Sequence, residues 1–474
     1  MQKLKKKADF TNGKVFIAML WFVLPIIATN LLQMAYNAAD MMIVSLSSEE
    51  NAVGAIGTTS SFVHLIVNLF IGFSVGANVV VARSIGAKDG EKTQKAVHTS
   101  LIAALIFGLA GMGVGIGVSK AVLTVMGNTG SLLTLACRYT YIYFAGVPFL
   151  AITNYLIAIF RAKGDSKTPL IVLSIAGLVN VGLNLFFVVV IGLSVEGVAL
   201  ATTLANILSS VVLLCKLGKD KDETHFSFKR LKMDARAFKE MLFIGLPAGV
   251  QGALFSFSNM LIQSSIVSVN NQLCSPSSTY QPVVNGNAAG GNIEGFGYTA
   301  MNAVAQGAIT FTGQNIGAKK PERIKRVAFS CFALVSLAWF VMTSIVVAFY
   351  PNLLSFYGVV KGEDGSLQRI AYETAMIRLK YITLPYVLCG IMEVCAGVLR
   401  GLGHSLTSTI ISLIWACLFR VVWISTVFKA VGTLGSIFIS YPISWALTTS
   451  TTFVVICILL RKLIRQKRAE EKIE

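Results

Sequence analysis

Charged residues are scarce in this 474-residue chain, where they make up 13% of the sequence. An average soluble domain carries roughly 25%. Hydrophobic residues reach 55%, so a water-soluble fold of this size would lack the polar side chains needed to cover its surface. A bilayer span needs about 20 mainly apolar residues, and such runs recur along nearly the whole chain. The composition therefore excludes a soluble globular enzyme and predicts a protein embedded in the lipid bilayer.

Motifs for metal, disulfide or nucleotide chemistry are also missing. None of the 8 cysteines forms a CxxC pair, which argues against a zinc site or a redox motif. No GxxxxGK[ST] run is present to hold a nucleotide phosphate. We expect no enzyme activity and no cofactor, so active transport by this chain would draw on an ion gradient.

The net charge of +18 does not indicate nucleic-acid binding. Most of the Lys and Arg residues stand in short loops between apolar runs, which is the positive-inside pattern of membrane proteins. The loops of the opposite side carry mainly acids, among them Glu49, Glu196 and Glu363. This distribution places both termini in the cytoplasm, with the first apolar run as an uncleaved span.

The apolar runs predict an all-α polytopic membrane protein of twelve transmembrane helices in two pseudo-symmetric six-helix lobes. The predicted spans are 15–46, 54–82, 96–119, 132–159, 169–192, 195–217, 240–267, 292–314, 327–350, 371–398, 406–428 and 434–460. The lobes are predicted at 1–217 and 240–460, with a basic cytoplasmic linker at 218–239 and a cytoplasmic tail at 461–474.

Two polar loops of the first half recur in the second. The segment SIGAKDGEKTQK at 84–95 matches NIGAKKPERIKR at 315–326, and FRAKGDSKT at 160–168 matches LRGLGHSLT at 399–407. Similarity between apolar helices is common, whereas matched polar loops in the same order indicate duplication. Because each half has an even number of spans, the halves share one orientation, with a pseudo-two-fold axis along the membrane normal.

Polar side chains inside the first-half spans mark a candidate ion site. Asp40 is the one acid of the first span, and polar residues precede it on the same helical face. The fifth span carries two asparagines one turn apart, and the sixth adds a threonine. These oxygen-bearing groups suit a proton on the carboxylate or a small cation, although such groups also serve simply to join helices. The predicted ion-binding set is Asp40, Tyr36, Asn180, Asn184 and Thr202.

The second half carries polar residues but no acid at the position that matches Asp40. Amides of the first, seventh and eighth spans form the predicted substrate cavity, namely Gln33, Asn37, Asn259, Gln263, Asn302 and Gln306. Glu393 and Arg420 lie in the tenth and eleventh spans. We expect them either to form a buried structural ion pair or to make a second proton or substrate site.

These spans, the loops RSIGAKDGEK, QNIGAKKPERIKR, RAKGDSKTP and RGLGHSLT, and the stretch NVGLNLFFVVVIGLSVEGVALATTLA resemble the multidrug and toxic compound extrusion (MATE) family over residues 15–460. The resemblance implies an antiporter that exports organic, often cationic, compounds in exchange for protons or sodium. In prokaryotic relatives the carboxylate matching Asp40 is central to coupling, with polar residues matching Asn180, Asn184 and Thr202. Relatives with a well-formed sodium site often carry an acid in place of Asn184, and this departure favours protons.

The resemblance leads us to expect small organic substrates, multidrug efflux across the cell membrane and a monomer, with no metal other than a sodium ion at Asp40. A flippase for lipids or lipid-linked precursors is the main alternative, since distant relatives with similar bundles have that role. A flippase should carry fixed basic residues in its cavity to hold phosphate. A receptor or channel is a weaker alternative, because this repeat pattern is typical of transporters.

Overall fold

The structure is a computed structural model that describes residues 10–47, 49, 52–273 and 280–472. Within these ranges every regular element is helical. The helices of the first half are α1 (Val15–Val44), α2 (Ala52–Gly86), α3 (Gly90–Val125), α4 (Gly130–Ala145), α5 (Val147–Ala162), α6 (Lys167–Leu185) and α7 (Val195–Lys219). Those of the second half are α8 (Ala235–Leu273), α9 (Pro282–Gly317), α10 (Pro321–Phe356), α11 (Leu367–Arg378), α12 (Val387–Gly401), α13 (Ser405–Ser412), α14 (Phe419–Trp423), α15 (Lys429–Val431), α16 (Leu434–Phe438) and α17 (Ser440–Glu470).

The predicted fold class is confirmed. Within the described residues, nine helices are long and apolar enough to cross a membrane, and two bent helix pairs raise the number to eleven. The remaining predicted span, 292–314, lies in α9. This helix has 36 residues, so it is long enough for a span, but its asparagines and glycines make it less apolar than the others.

Both bent pairs break beside a proline. The helices α4 and α5 meet at 48°, and Leu367–Thr383 meets α12 at 45°. Pro148 stands in the first turn of α5 and Pro385 just before α12. Because proline has no N–H, it cannot continue the hydrogen-bond ladder of the preceding helix. The two halves therefore bend one span each in the same way.

The first pair of matching loops shares one backbone conformation. Lys88 and Lys319, at equivalent positions, have φ of 56° and 53°, and no other described residue except glycine has a positive φ. The N–H of each lysine donates to an isoleucine carbonyl at 3.0 Å, from Lys88 to Ile85 and from Lys319 to Ile316. The left-handed conformation closes the preceding helix at both sites.

The second pair of matching loops also agrees in detail. Gly164 and Gly403 have φ of 85° and 80°, where the absence of a Cβ removes the steric penalty. The Gly164 N–H donates to the Arg161 carbonyl at 2.9 Å, and the Gly403 N–H donates to the Arg400 carbonyl at 2.8 Å. Shared backbone geometry at two separate loops supports the duplication inferred from the sequence.

The chain divides into two compact units. The N-terminal unit contains Met1–Gly13, Trp21–Gly252 and Gly313–Lys320, and the C-terminal unit contains Lys14–Leu20, Ala253–Thr312 and Pro321–Glu474. Each has its own apolar core, around Val44, Leu135 and Val198 in the first unit and around Ile262, Ile437 and Trp445 in the second. The lobe, linker and tail boundaries derived from the sequence stay a prediction.

Candidate functional site

A close approach between α1 and α6 in the N-terminal unit positions the first group of polar residues. A Cβ added to Gly177 of α6 would lie 1.9 Å from Cε2 of Tyr36, so glycine is what allows the Tyr36 ring to pack directly on the helix. The Tyr36 hydroxyl donates to the Ser174 carbonyl at 3.1 Å. These contacts fix the face of α1 that carries Asp40 one turn later.

Asp40 lies among amide groups of α6. The Asn184 Nδ2 donates to Asp40 Oδ1 at 2.5 Å. Hydrogen-bond complementarity orients the Asn180 amide so that its nitrogen also donates to Asp40 Oδ1, at 3.0 Å, and its oxygen accepts from the Thr202 N–H at 3.3 Å. The structure thus brings together four of the five predicted ion-site residues, with contributions from α1, α6 and α7.

The surroundings of Asp40 contain amides and phenols but no fixed cation. In the part of the chain that the structure describes, no Lys, Arg or His forms an ion pair with Asp40. Tyr139 and Tyr143 are close enough to interact electrostatically with it. The Oδ1 atom of Asn184 is buried and has no hydrogen-bond partner among the described residues. The site therefore contains a carboxylate, and next to it an unused acceptor oxygen.

The other predicted residues on α1 lie outside this cluster. Tyr36 bonds to the α6 backbone instead of to Asp40, and it therefore supports the site without being a ligand in this geometry. Gln33 and Asn37 are both exposed. Their assignment to a substrate cavity stays a prediction.

The C-terminal unit contains two adjoining cavities of about 330 and 400 Å³. Asn259 lines both, and Gln263 lines the larger one. Neither Asn302 nor Gln306 is among their lining residues. The Gln306 Nε2 instead donates to Asn302 Oδ1 at 3.1 Å along α9. Two of the four amides predicted for this half therefore face these cavities.

A buried ion pair that the sequence did not predict stands in the wall of both cavities. Arg378 at the end of α11 donates from Nε and Nη2 to Oε2 of Glu294 on α9, at 3.1 and 2.7 Å. Its Nη1 donates to Asn287 Oδ1 at 2.5 Å. The Thr383 hydroxyl donates to Oε1 of Glu294 at 2.9 Å. Both charges and both carboxylate oxygens are therefore satisfied within the protein.

Glu393 and Arg420 do not form the ion pair that was one of the two predictions for them. Both are buried and both line the smaller cavity, but no salt bridge joins them within the described residues. The Arg420 guanidinium lies 4.1 Å from the centre of the Tyr441 ring, and its Nε donates to Ser444 Oγ at 2.9 Å. The aromatic ring and the hydroxyl of α17 hold Arg420 in place of an acid.

A charge within a predicted span was the signal that could have revealed Glu294 and Arg378. Both fall inside the predicted eighth and tenth spans, where an ionisable residue is rare and usually paired or functional. Their pairing could not be inferred from spacing along one helix, because the partners stand on α9 and α11.

Comparison with known proteins agrees with this architecture. The MatE family model matches residues 25–186 and 247–426. The chain is 26% identical to "Probable multidrug resistance protein YoeA" of Bacillus subtilis (strain 168) over 451 residues, which is 92% of each chain.

A second relative and a solved structure cover even more of the chain. It is 22% identical to "Multidrug export protein MepA" of Staphylococcus aureus (strain NCTC 8325 / PS 47), over 94% of this chain and 98% of that protein. A structure described as "Outward-facing conformation of a multidrug resistance MATE family transporter of the MOP superfamily" matches with a TM-score of 0.86 and 19% identity, over 98% of this chain and 100% of the other. The matched residues span well over half of the sequence, and the chain belongs to the MatE family.

Proposed function

We propose that this protein is an antiporter that exports small organic, mainly cationic, compounds in exchange for protons entering through Asp40. The names of the two relatives, one a multidrug resistance protein and one a multidrug export protein, support efflux. The observation that carries ion coupling is the position of Asp40, which accepts hydrogen bonds from Asn184 and Asn180 and has no cation beside it among the described residues.

A carboxylate that has only neutral hydrogen-bond donors around it favours the binding of a cation from solution. Removing an ionised carboxylate from water costs several kcal/mol unless an opposite charge compensates it. Asp40 receives only neutral amide donors, which reduce that cost without cancelling the charge. An ion from solution, bound and released in turn, therefore changes the stability of this region by an amount large enough to drive a conformational change.

The orientation of the amides supports protons over sodium. Both asparagines direct N–H groups at Asp40 Oδ1, whereas a sodium ion would need their oxygens turned towards it. Protonation of Asp40 needs no such rearrangement.

Exchange follows from linkage between the two ligands. If proton binding at Asp40 and substrate binding favour opposite states of the transporter, each ligand promotes release of the other. The distribution of basic loops supports a cell-membrane protein with both termini in the cytoplasm. Since the substrate is exported, the exchanged proton would enter from outside. We infer a monomer as the working unit, because each chain contains both halves of the duplication.

Transport by purified protein in proteoliposomes tests this function. Export of a cationic dye is measured under an imposed pH gradient and, separately, under an imposed sodium gradient. We expect the pH gradient alone to drive export. The Asp40→Asn variant should lower the proton-driven rate at least about tenfold, which corresponds to about 1.4 kcal/mol in the barrier.

The matched control is Asp364→Asn, since the Asp364 side chain is 92% exposed. This variant should transport at the wild-type rate. Full export by Asp40→Asn would contradict the role of Asp40, and export driven by sodium alone would contradict proton coupling.

A lipid flippase gains less support from the cavities of the C-terminal unit. Fixed bases for phosphate are the feature that such a role requires, and Arg378 is already occupied by Glu294. Arg420 is the one further arginine among the residues that line these two cavities.

A further inference from the structure

The segment that joins α7 to α8 exposes three large apolar side chains. Phe228, Leu231 and Met233 are 74%, 44% and 37% exposed, and they lie within a stretch of six residues, 228–233, which we call the linker patch. Single apolar residues on a surface are ordinary, whereas a cluster of them marks contact with a partner or a membrane.

The linker patch lies where two membrane helices begin their apolar stretches. It packs beside α3, in which no Lys, Arg, Asp or Glu occurs between Lys95 and Lys120, and it precedes α8, in which none follows Glu240. Charged side chains of membrane helices end at the depth of the lipid headgroups. We therefore expect the patch at headgroup depth, on the side of the membrane where the basic loops gather.

Contacts with α3 hold the patch at both of its ends. The Ser227 N–H donates to Nε2 of His98 at 3.3 Å, and the Asp234 N–H donates to Oγ1 of Thr99 at 2.9 Å. The Phe226 ring is buried against the His98 ring, with 5.5 Å between their centroids. The backbone is thus anchored on the N-terminal unit while the apolar side chains of the patch stay exposed.

A cavity of about 360 Å³ lies between the patch and α3. Arg230 and Lys232 of the patch line it, together with Gln94 of α3. Nη1 of Arg230 donates to Oε1 of Gln94 at 3.3 Å, and this neutral partner orients the guanidinium without cancelling its charge. Within the described part of the chain, no acid forms a salt bridge with either base.

Two acids line the same cavity, but each already has a partner. Oε1 of Glu91 lies 2.6 Å from Nζ of Lys95, so these two charges offset each other. Oδ1 of Asp234 accepts the Ala237 N–H at 2.8 Å, which caps the start of α8. The two bases of the patch outnumber the remaining acid, and Lys229 adds a further positive charge beside them. The surroundings are therefore net positive.

We propose that the linker patch and this cavity bind an anionic phospholipid, with its phosphate at Arg230 and Lys232 and its acyl chains against Phe228 and Leu231. Fixed bases beside apolar side chains match a molecule in which a phosphate adjoins hydrocarbon. A soluble phosphate would pair with the bases but leave the apolar groups in water. This binding site goes beyond the proposed export function and uses none of the residues assigned to it.

Quenching of a tryptophan in the patch tests the proposal. Phe228→Trp places an aromatic reporter at an exposed aromatic position of the full chain, and the wild type, with its 5 tryptophans, gives the background. Both are studied in phosphatidylcholine nanodiscs, in which a rising fraction of either phosphatidylglycerol or phosphatidylcholine has brominated acyl chains. We expect phosphatidylglycerol to bind at the reporter about fivefold or more tightly than phosphatidylcholine, because one base near anionic headgroups contributes about that factor.

Variants in the Phe228→Trp background assign the preference to the two bases. Arg230→Gln together with Lys232→Gln should remove it, and Arg230→Lys, which keeps the charge, should retain it. The matched control is Arg465→Gln together with Lys472→Gln, two exposed bases near the end of the chain. This control removes the same charge from another part of the molecule and should leave the preference unchanged. Asp40→Asn should leave it unchanged as well, whatever its effect on export.

Three results would overturn the proposal. The first is equal quenching by the two lipids, and the second is a preference that survives the loss of both Arg230 and Lys232. The third is an equal loss in the Arg465 and Lys472 control, because the preference would then follow the net charge of the whole protein. Inorganic phosphate, added at constant ionic strength, should not reduce the quenching. Displacement of the lipid by phosphate would make the cavity a site for a soluble anion instead.

Discussion

Each unit holds an acid in a span, buried for Glu294 and half-buried for Asp40, but the partners of the two acids differ. Glu294 of the C-terminal unit bonds to Arg378 at 2.7 Å and to Thr383 at 2.9 Å. Asp40 of the N-terminal unit bonds to the amides of Asn184 and Asn180. A resident arginine makes an acid part of the scaffold, whereas an acid held by neutral donors stays available to an ion from solution. We propose that this one difference in partner gives two residues of similar chemistry different roles.

The largest effect should come from breaking the resident pair. Arg378→Gln leaves Glu294 buried without its counter-ion, and we expect a loss of about 3–5 kcal/mol in unfolding free energy. Thermal unfolding in detergent measures it. Adding Glu294→Gln to Arg378→Gln should restore at least half of the loss, because the stranded charge is gone.

Arg138→Gln supplies the control for this experiment. Arg138 pairs with Glu196 at 3.1 Å but its side chain is 59% exposed, so its loss should cost under about 1 kcal/mol. Equal destabilisation by Arg138→Gln and Arg378→Gln would show that burial does not set the strength of the C-terminal pair.

A smaller effect is expected where α1 packs beside the Asp40 site. Gly177→Ala forces a methyl group to within 1.9 Å of the Tyr36 ring, and overpacking of this kind costs about 1–3 kcal/mol. The matched control is Gly182→Ala on the same helix, where a Cβ would meet nothing within 4 Å. If both variants unfold at the wild-type temperature, the close approach of α1 and α6 is not needed for stability.

The matching loops offer a comparison in which the two halves should behave alike. Lys88→Gly and Lys319→Gly each relieve a left-handed residue that carries a Cβ, so each should raise the unfolding free energy by about 1 kcal/mol. Denaturation of the two single variants and the double variant measures this. If only one of the single variants gained stability, the two loops would share a backbone geometry without sharing the strain of the left-handed conformation.

The smallest effect should be that of Asp40→Asn on stability. An asparagine keeps an acceptor oxygen for Asn184 and removes a half-buried charge, so the free energy of unfolding should change by less than about 1 kcal/mol. The variant would then lose transport while keeping its stability, whereas Arg378→Gln would lose stability. Destabilisation as large as that of Arg378→Gln would make Asp40 a structural residue.

Helical spacing and family resemblance predicted that Asp40 lies with Asn180, Asn184 and Thr202, and the contacts between these residues agree. Their role in ion binding stays a prediction. Asn180 and Asn184 are one turn apart, so their common face followed from the sequence. The second half was harder, because its polar contacts join residues on different helices. Spacing could not show that Glu294 meets Arg378, nor that Tyr441 and Ser444 of α17 would hold Arg420 away from Glu393. Contacts across helices depend on packing that periodicity does not encode.

The eighth predicted span and its helix begin at different residues for a related reason. The span is predicted from 292, whereas α9 begins at Pro282. The added segment is rich in asparagine and glycine, a composition that is typical of a loop. Here the segment is helical because it packs against neighbouring helices. Gly286, for example, packs against the backbone of Ala371, where a Cβ would meet the carbonyl oxygen at 2.1 Å.

The polarity of α9 also bears on how the chain is made. A segment enters the bilayer from the translocation machinery according to its hydrophobicity, and α9 carries Glu294 with several amides. The arginine that neutralises Glu294 is synthesised 84 residues later, which takes roughly 4–17 s at ordinary rates of translation. We expect the stable insertion of α9 to depend on α11, because Glu294 has no counter-ion until Arg378 has been made.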